Sequence, residues 1–477
     1  MFKNSIYKSL GLAVLCTAYT ACKLPEVAQR AENKNVPEGF SDSKDTVNSA
    51  SIQWKTFFTD PNLVSLIDTA LKNNQELNIT LQDIEIARND IKAKKGDLLP
   101  TVGYGVGAGL EKVGRYTSDG AGDASTEITP GKGVPDVLPD YKFGLQANWE
   151  ADIWHKLRNA KQSAVNHYLS TIAGKNFVVT NLVAEVANSY YELLALDNQL
   201  DIVKQNIKIQ SDALELMKIQ KEATRVTELA VRKFQAEVLS SKSMQFDIQQ
   251  NITETENKIN FLLGRYPQPI IRDGKSFTDL VPATVQSGIP SQLLANRPDI
   301  KQAELELAAA KLDVKVAKAQ FYPSLSISAT LGYQAFNPSY LLRTPESLIY
   351  SLAGDLAGPL INKNAIKAEY LTANAKQLQA VFDYEKTILN GYIEVANQMS
   401  NINNLQKSYD LKNQQVKALT ESIDISNALF RSARADYFEV LMTQRDALQS
   451  KLELIETKKQ QLNAVVNIYH ALGGGWN

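Results

Sequence analysis

The chain has 477 residues, of which 44% are hydrophobic and 22% are charged, with a formal net charge of −1. Such a length and composition suit a large folded protein, and the balanced charge gives no bulk electrostatic attraction to nucleic acid. His155, His167 and His470 have no metal-ligand spacing, and there is no Gly-x-Ser-x-Gly element or phosphate-binding loop. We therefore expect neither catalysis nor a bound cofactor.

The N-terminal residues predict export from the cytoplasm. Two lysines precede a short apolar run that is too brief to span a bilayer. Residues 20–22, Thr-Ala-Cys, are typical of the end of a bacterial lipobox, although Tyr19 occupies the usual leucine position. We expect residues 1–21 to be a lipoprotein signal peptide and Cys22 to carry covalent lipid. The alternative is an ordinary cleaved signal, with Cys22 as a bystander.

The residues after Cys22 are polar up to about residue 50 and rich in Lys, Asn, Glu and Ser. Such a composition buries too little apolar surface to fold by itself, so residues 22–60 are predicted to form an anchored N-terminal tether. No later segment reaches the ~18–20 apolar residues of a membrane helix.

Four later stretches alternate between apolar and small or polar side chains, which is the period of a β-strand. The small face is glycine after Pro100 and mainly serine and threonine after Pro323. A membrane β-barrel needs this pattern, with lipid on the apolar side and water on the other. The alternative is a half-buried sheet of a soluble protein. The strands are expected at about 101–112, 139–150, 324–334 and 347–357.

Four strands are too few to close a barrel, because the small closed barrels begin at about eight strands. An open sheet in lipid would leave its edge N–H and C=O groups unpaired, at a cost of several kcal/mol each. If these are membrane strands, several chains must pool them. A dimer would supply eight, a trimer twelve and a tetramer sixteen, and the periodicity alone does not choose among these.

The rest of the chain is dominated by long helical segments, at about 153–262 and 364–472. Apolar residues recur in steps of three and four, as in Val179, Val183 and Val186, which is the seam of packed helices in a coiled coil. Each segment is interrupted once by a few turn residues. Each therefore predicts a long helical hairpin with its tip far from the strands.

The two halves of the chain repeat each other. Pro100 before the first alternating stretch returns as Pro323, which we call the proline match, and Val-Ala-Asn at 186–188 returns at 395–397, which we call the helix match. The two matches differ in spacing because the loop between the strands is longer in the first half. We infer that one ancestral unit of helix, β-hairpin and long helical hairpin has been duplicated.

The duplication divides the chain. The predicted divisions are a first repeat at 61–264, a proline-rich linker at 265–295, a second repeat at 296–473 and a tail at 474–477.

Several stretches resemble the TolC-like outer-membrane efflux channels, and specifically the lipid-anchored branch that serves resistance–nodulation–division pumps. They include WEADIWHKLRNA after the second strand, AKAQFYPSLSISATLGY, RADYFEVLMTQRDAL and the terminal YHALGGGW. The most specific element is Arg297-Pro298-Asp299 with Glu304, inside LLANRPDIKQAELELAAAK. We interpret it as structural, with proline in the first turn of a helix and an acid near its positive end.

The resemblance implies a mainly α protein with a membrane β part. Three copies would form a 12-stranded β-barrel in the outer-membrane lipid, continued by a periplasmic α-helical barrel. The implied function is a passive exit duct in a tripartite efflux system, with a periplasmic adaptor and an inner-membrane resistance–nodulation–division pump as partners. Alternatives are the exit duct of a type I protein-secretion system and a structural coiled-coil envelope lipoprotein. The sequence does not identify the exported cargo.

The resemblance also assigns adaptor contact and resting closure to the two hairpin tips. Two family positions that often hold glycine are Thr224 and Ala433 here. The tip residues are Ala223, Thr224, Arg225, Val226 and Thr227 in the first repeat, and Ala433, Arg434, Ala435, Asp436, Tyr437 and Glu439 in the second. For the charged ones the alternative is a solvated helix start. Trp149 and Trp154 are expected either in an interfacial aromatic belt or in packing beneath the strands.

Overall fold

The computed structural model describes residues 25–40, 47–359, 361 and 363–476. Cys22 and the predicted signal peptide lie outside these residues. The helices are α1 Trp54–Phe57, α2 Pro61–Asn73, α3 Gln75–Gly96, α4 Ser118–Asp123, α5 Lys156–Glu222, α6 Glu228–Leu262, α7 Leu293–Asn296, α8 Pro298–Ala319, α9 Asn364–Arg431 and α10 Tyr437–Ala471. The strands are β1 Thr101–Glu111, β2 Glu127–Thr129, β3 Lys132–Gly133, β4 Leu138–Ala151, β5 Ser324–Ala335 and β6 Leu348–Ala357.

The chain forms two compact units, and neither coincides with a sequence repeat. The described residues of the first unit are 25–31, 85–168, 305–359, 361 and 363–381. Those of the second are 32–40, 47–84, 169–304 and 382–476. Each repeat thus contributes to both units, because its strands and its helical hairpin belong to different ones.

The first unit is built on a four-stranded antiparallel sheet in the order β1-β4-β5-β6. All four strands lie where the alternation predicts them. Within each repeat the two strands form a hairpin, and the repeats meet where β4 pairs with β5, from Tyr141 opposite Ala335 to Ala151 opposite Leu325. The connection between β1 and β4 holds the short helix α4 and the β2–β3 ribbon.

The second unit is helical and carries the larger core. The predicted seam of the first long helix is confirmed, since Val183, Val186, Tyr190 and Leu193 are buried in one cluster. Burying a side chain of this size stabilises a fold by about 1.5–3 kcal/mol, so this seam holds α5 against its neighbours. Tyr190 also donates a hydrogen bond through its hydroxyl to the Asp60 carboxylate at 2.7 Å.

The predicted tether over residues 22–60 is wrong for its C-terminal part. Trp54 and Phe58 are buried in the core of the second unit. Phe57 stacks on Tyr469 with ring centroids 4.0 Å apart, and the Tyr469 hydroxyl donates to the Ile52 carbonyl at 2.6 Å. This C-terminal part contains three aromatic side chains, Trp54, Phe57 and Phe58, which are enough to anchor it.

The predicted linker over residues 265–295 is also packed against the helices. Ile270 and Phe277 are buried. Arg272 donates to the Asp197 carboxylate at 2.6 Å and also pairs with Glu256. The regular structure of this segment is limited to two short 3-10 helices and the start of α7, and its prolines do not prevent burial.

No helix in the described ranges is both long and apolar enough to cross a bilayer.

Candidate functional site

The sheet of the first unit has two chemically distinct faces, and the strand register aligns them. Val102 lies opposite Ala147, and Leu325 lies opposite Leu356, so apolar residues meet apolar ones across the hairpins. On this face Tyr104 is 86% exposed and Val106 is 81% exposed. A face of this kind needs a nonaqueous environment.

The opposite face consists of small and polar residues. Gly105 lies opposite Gly144, which lies opposite Gly332. A Cβ added at Gly144 would come within 2.7 Å of the Gly332 Cα, so these glycines permit a close approach of β4 and β5. The rest of the face is mainly Ser, Thr, Gln, Asn and charged side chains, such as Lys142 beside Gly107. It suits contact with water.

The two outer strands of the sheet are paired on one side only in the described part of the chain. β1 pairs with β4, and β6 pairs with β5. Each outer strand therefore presents a row of backbone N–H and C=O groups that require a partner in lipid.

Trp149 and Trp154 lie at or just after the end of β4, and their ring N–H groups donate hydrogen bonds to backbone carbonyls. Trp149 donates to the Leu98 carbonyl at 3.0 Å. Trp154 donates to the Pro323 carbonyl at 2.7 Å and stacks on Tyr322 with centroids 4.8 Å apart. Because both rings also remain more than one third exposed, packing accounts for only part of their surface.

The helical tips of the second unit contain two strained turns. Thr224 and Ala433 have φ values of 58° and 57°, in the left-handed region that favours glycine. The Arg225 amide donates to the Gln220 carbonyl at 2.9 Å, and the Thr224 amide donates to the Lys221 carbonyl at 2.8 Å. This is a Schellman cap of α5.

The second tip has the same cap at the end of α9. The Arg434 amide donates to the Leu429 carbonyl at 2.9 Å, and the Ala433 amide donates to the Phe430 carbonyl at 3.0 Å. The turn shape that glycine would allow is thus kept with threonine and alanine in its place.

The returning helices begin with side-chain caps. Thr227 caps α6 by accepting from the Ala230 amide at 3.4 Å. Asp436 caps α10 by accepting from the amides of Phe438 at 2.7 Å and Glu439 at 3.1 Å. The Asp436 carboxylate therefore has a structural role, whereas Glu439 is exposed in the first turn of α10.

One charged contact at the first tip is not predicted from the sequence. Glu228 binds Lys221 across the turn and Arg232 at 2.7 Å. The hydrogen bond from Lys221 lowers the pKa of the Glu228 carboxyl. At the second tip the corresponding positions are Phe430 and Tyr437, which pack on an apolar cluster. The sequence does contain a signal for this contact, namely a lysine and a glutamate on opposite sides of a predicted turn.

The tips of the two hairpins share that cluster, which we call the tip core. It contains Leu214, Met217, Val231, Phe234, Val238 and Leu441, with Ala213, Val226, Phe430 and Tyr437 packed against it. Ala223, Arg225 and Arg434 remain exposed on the outside. The fold thus brings the two predicted tips together and leaves an exposed arginine in each turn.

The predicted structural motif lies at the start of α8, with Pro298 in its first turn. Arg297 is 3% exposed and pairs with Asp299 at 2.7 Å and Glu394 at 2.6 Å. It also donates to the Ala471 carbonyl at 2.8 Å, at the last residue of α10. Arg297 therefore ties three helices together, as a structural reading requires.

The first repeat has an equivalent junction with a neutral residue. Asn74, which precedes α3, is buried and donates to the Leu262 carbonyl at 2.9 Å, at the last residue of α6. Asn74 corresponds to Arg297 by the proline match, and Leu262 corresponds to Ala471 by the helix match. The duplication thus extends to single hydrogen bonds.

Glu304 and the histidines have local partners. Glu304 binds Lys34 at 3.0 Å and Lys301 at 2.8 Å, and the hydrogen bond from Lys301 lowers the pKa of its carboxyl. His167 Nδ1 lies 3.0 Å from Glu306, which raises the pKa of the imidazole. Burial lowers the pKa of His470. Across the described ranges no group of His, Cys, Asp or Glu side chains could hold a metal ion.

An antiparallel sheet with one apolar exposed face, followed in each repeat by a long helical hairpin, defines an outer-membrane channel of the TolC type. The crystal structure of the open state of the Neisseria gonorrhoeae MtrE outer membrane channel shares this fold, with a TM-score of 0.82 at 21% identity over 95% of this chain and 98% of that one. The model of the Outer membrane efflux protein family matches residues 66–265 and 289–474. The chain therefore belongs to this family, and it is the outer-membrane channel component of an efflux system.

Two curated relatives cover nearly the whole chain. The pyoverdine export outer membrane protein OpmQ of Pseudomonas aeruginosa is 28% identical over 98% of this chain and 97% of its own length. The cation efflux system protein CusC of Escherichia coli is 26% identical over 96% of this chain and 97% of its own length.

Proposed function

We propose that three copies of the chain form a passive exit duct, which completes a tripartite efflux system with a periplasmic adaptor and an inner-membrane resistance–nodulation–division pump. The observation that carries this proposal is the open sheet β1-β4-β5-β6, with an exposed apolar face and a polar face. Three such sheets supply twelve strands, and closing them into a cylinder satisfies every outer edge.

The cargo is set by the pump in this proposal. The polar face carries glycine, hydroxyl and amide groups, which offer hydrogen bonds to water without an enclosed pocket. Relatives named for pyoverdine export and for cation efflux are similar to this chain over nearly its full length. Channels for different cargoes therefore share one sequence plan.

We assign adaptor contact and closure to the exposed tip residues around the tip core. The amides of Arg225 and Arg434 close the two Schellman caps at equivalent positions, and Glu439 lies in the first turn of α10. Charges at a constriction can hold it shut through ion pairs or repel solutes of one sign. Asp436 contributes mainly by shaping the turn, because its carboxylate already accepts two amide N–H groups.

Conductance of the purified complex in a planar lipid bilayer tests the proposal. Replacing both arginines, as R225Q and R434Q, is expected to raise the conductance above that of the unmodified complex. D436N keeps the cap while removing the charge, so it separates charge from turn shape. A matched control is R88Q, an exposed arginine of the first unit that pairs with Glu85. A bilayer that stays sealed with every variant would contradict a duct.

A further inference from the structure

The polar face of the four-stranded sheet contains an open hollow of about 270 Å³, which we call the wall cavity. Polar side chains border it in two pairs across β4 and β5. Lys142 lies opposite Gln334 at one end, and Gln146 lies opposite Thr330 at the other. The two residues of each strand are four positions apart, so about 13 Å of strand separates the pairs. The wall cavity therefore has polar groups at both ends.

Glycine leaves the middle of the wall cavity empty. Gly144 lies opposite Gly332 between the two polar pairs, and Gly105 of β1 lies opposite Gly144. Ile349 of β6 lies opposite Gly332 and closes one side. A Cβ added at Gly105 would meet no atom closer than the Gln146 amide nitrogen at 4.0 Å. The floor is therefore bare backbone beside one apolar side chain, with space above it for a small planar group.

The Lys142 ammonium group at the end of the wall cavity has no partner in the described part of the chain. It makes neither a hydrogen bond nor an ion pair there, and its side chain is exposed. Its alkyl stem lies against Gly107, where a Cβ would come within 3.1 Å of the Lys142 Cε. An ammonium group offers three donors and no acceptor. A ligand that supplies acceptors and a negative charge would complement it.

The acids of β4 on this face have partners of their own. Asp140 accepts a hydrogen bond from the Gln334 amide at 2.8 Å, on the side of Lys142 away from the glycines. Glu150 pairs with Lys156 near the other end of the strand. Neither carboxylate neutralises the Lys142 ammonium group. The charge that faces the wall cavity is therefore positive.

We infer that the wall cavity binds small aromatic carboxylates, with the carboxylate at the Lys142 ammonium group and the ring over the glycine floor. Like the duct proposed above, on which it rests, this site requires the polar face to be in water. One ammonium group matches one negative charge, and a carboxylate is an acceptor only. Pockets for drug-sized ligands begin at about 300 Å³, so the wall cavity suits a smaller molecule.

The site adds a binding step for anionic solutes to a duct whose cargo is chosen by the pump. Because the wall cavity opens toward the water side of the sheet, bound solute can leave along the lumen. Conduction requires binding that is weak enough for release, and one exposed ion pair over a bare floor meets this requirement.

Benzoate binding to the purified full-length complex in detergent tests the inference. Saturation transfer from the protein to the benzoate ring protons detects weak binding and does not require an open duct. Benzamide has nearly the same shape without the charge, so it should bind about 5- to 20-fold more weakly. K142Q should weaken benzoate binding by a similar factor, whereas K142R keeps the charge and should retain most of the binding.

Two matched pairs of variants separate the wall cavity from general effects. K132Q removes the same charge as K142Q, but in the β2–β3 ribbon, and should leave benzoate binding unchanged. G105S and G103S add the same side chain to the same face of β1, and only Gly105 lines the wall cavity. Neither new Cβ would meet an atom closer than 4.0 Å. G105S should weaken binding several-fold, and G103S should not.

Several results would overturn the inference. These are no benzoate binding to the native complex, equal binding of benzamide, or unchanged binding in K142Q. Native mass shows whether each variant still assembles, and K142Q decides if G105S does not. One chain lines the whole wall cavity, so binding that depends on Lys142 would support the site even in a complex that leaves bilayers sealed. A sealed bilayer would instead refute the proposed duct.

Discussion

Replacing the two left-handed tip residues with glycine should stabilise the tips. Ala433 has a φ of 57°, and a residue with a side chain pays roughly 1–2 kcal/mol there. Glycine removes this strain but makes the unfolded chain more flexible, which costs about 0.4–1 kcal/mol. We therefore expect A433G to stabilise its turn by about 0.5–1 kcal/mol. T224G should also stabilise its turn, but by a smaller free energy. The substitution removes the exposed hydrogen bond that the Thr224 hydroxyl donates to the Ala223 carbonyl at 2.8 Å.

Hydrogen exchange of the tip amides measures this effect locally. The Arg434 amide closes the Schellman cap through the Leu429 carbonyl at 2.9 Å, so its exchange reports opening of the turn. A stabilisation of this size should slow exchange about 2- to 5-fold in A433G. A223G is the matched control, because Ala223 lies beside a left-handed residue without a positive φ of its own. In A223G the Arg225 amide, which closes the cap of the first tip, should exchange faster than in the unmodified protein. Faster exchange in A433G would refute the strain argument.

Three further outcomes follow from the structure. R297A should lower the temperature at which the complex unfolds, because the buried guanidinium loses its charge-assisted hydrogen bonds, each worth about 1.5–3 kcal/mol. The Glu394 side chain is 47% exposed, so its ion pair adds little. R297K should recover only part of the loss, since an ammonium lacks the fork that also reaches the Ala471 carbonyl. Deuterium uptake at histidine ring carbons should give His167 a pKa above and His470 a pKa below the ordinary value. The His167–Glu306 pair should thus stabilise fully below about pH 6.5 and lose its effect as pH rises through the elevated pKa, and E306Q should abolish this dependence. C22S should leave the folded channel intact but remove acyl mass from the mature chain.

The strands were predictable because the barrel wall imposes a period of two on the sequence. Val102, Tyr104 and Val106 must face lipid while the residues between them face water. The resulting alternation can be recognised in the sequence alone. The duplication could be predicted from the sequence for a similar reason, since two copies of one fold keep the same side chains at the same turns.

The N-terminal tether and the linker were mispredicted because composition averages over a segment. Trp54 and Phe58 are two side chains in a polar stretch, and Phe277 lies among prolines, yet each is buried in the core. Whether a few aromatic residues find a cavity depends on distant helices, which local patterns do not contain.

The backbone geometry of the tips could not be predicted from the sequence either. Thr224 and Ala433 have no intrinsic preference for a left-handed φ, and the tip core together with the two flanking helices imposes it. The Lys221–Glu228 contact depends on that same turn.

Native mass spectrometry of the complex in detergent tests the central claim most directly. The claim is that the open sheet β1-β4-β5-β6 is completed only by other copies of the chain. The expected particle contains three chains and therefore twelve strands. A stable monomer that still inserts into lipid bilayers would contradict the claim, because its two outer strands would have no partners in the membrane.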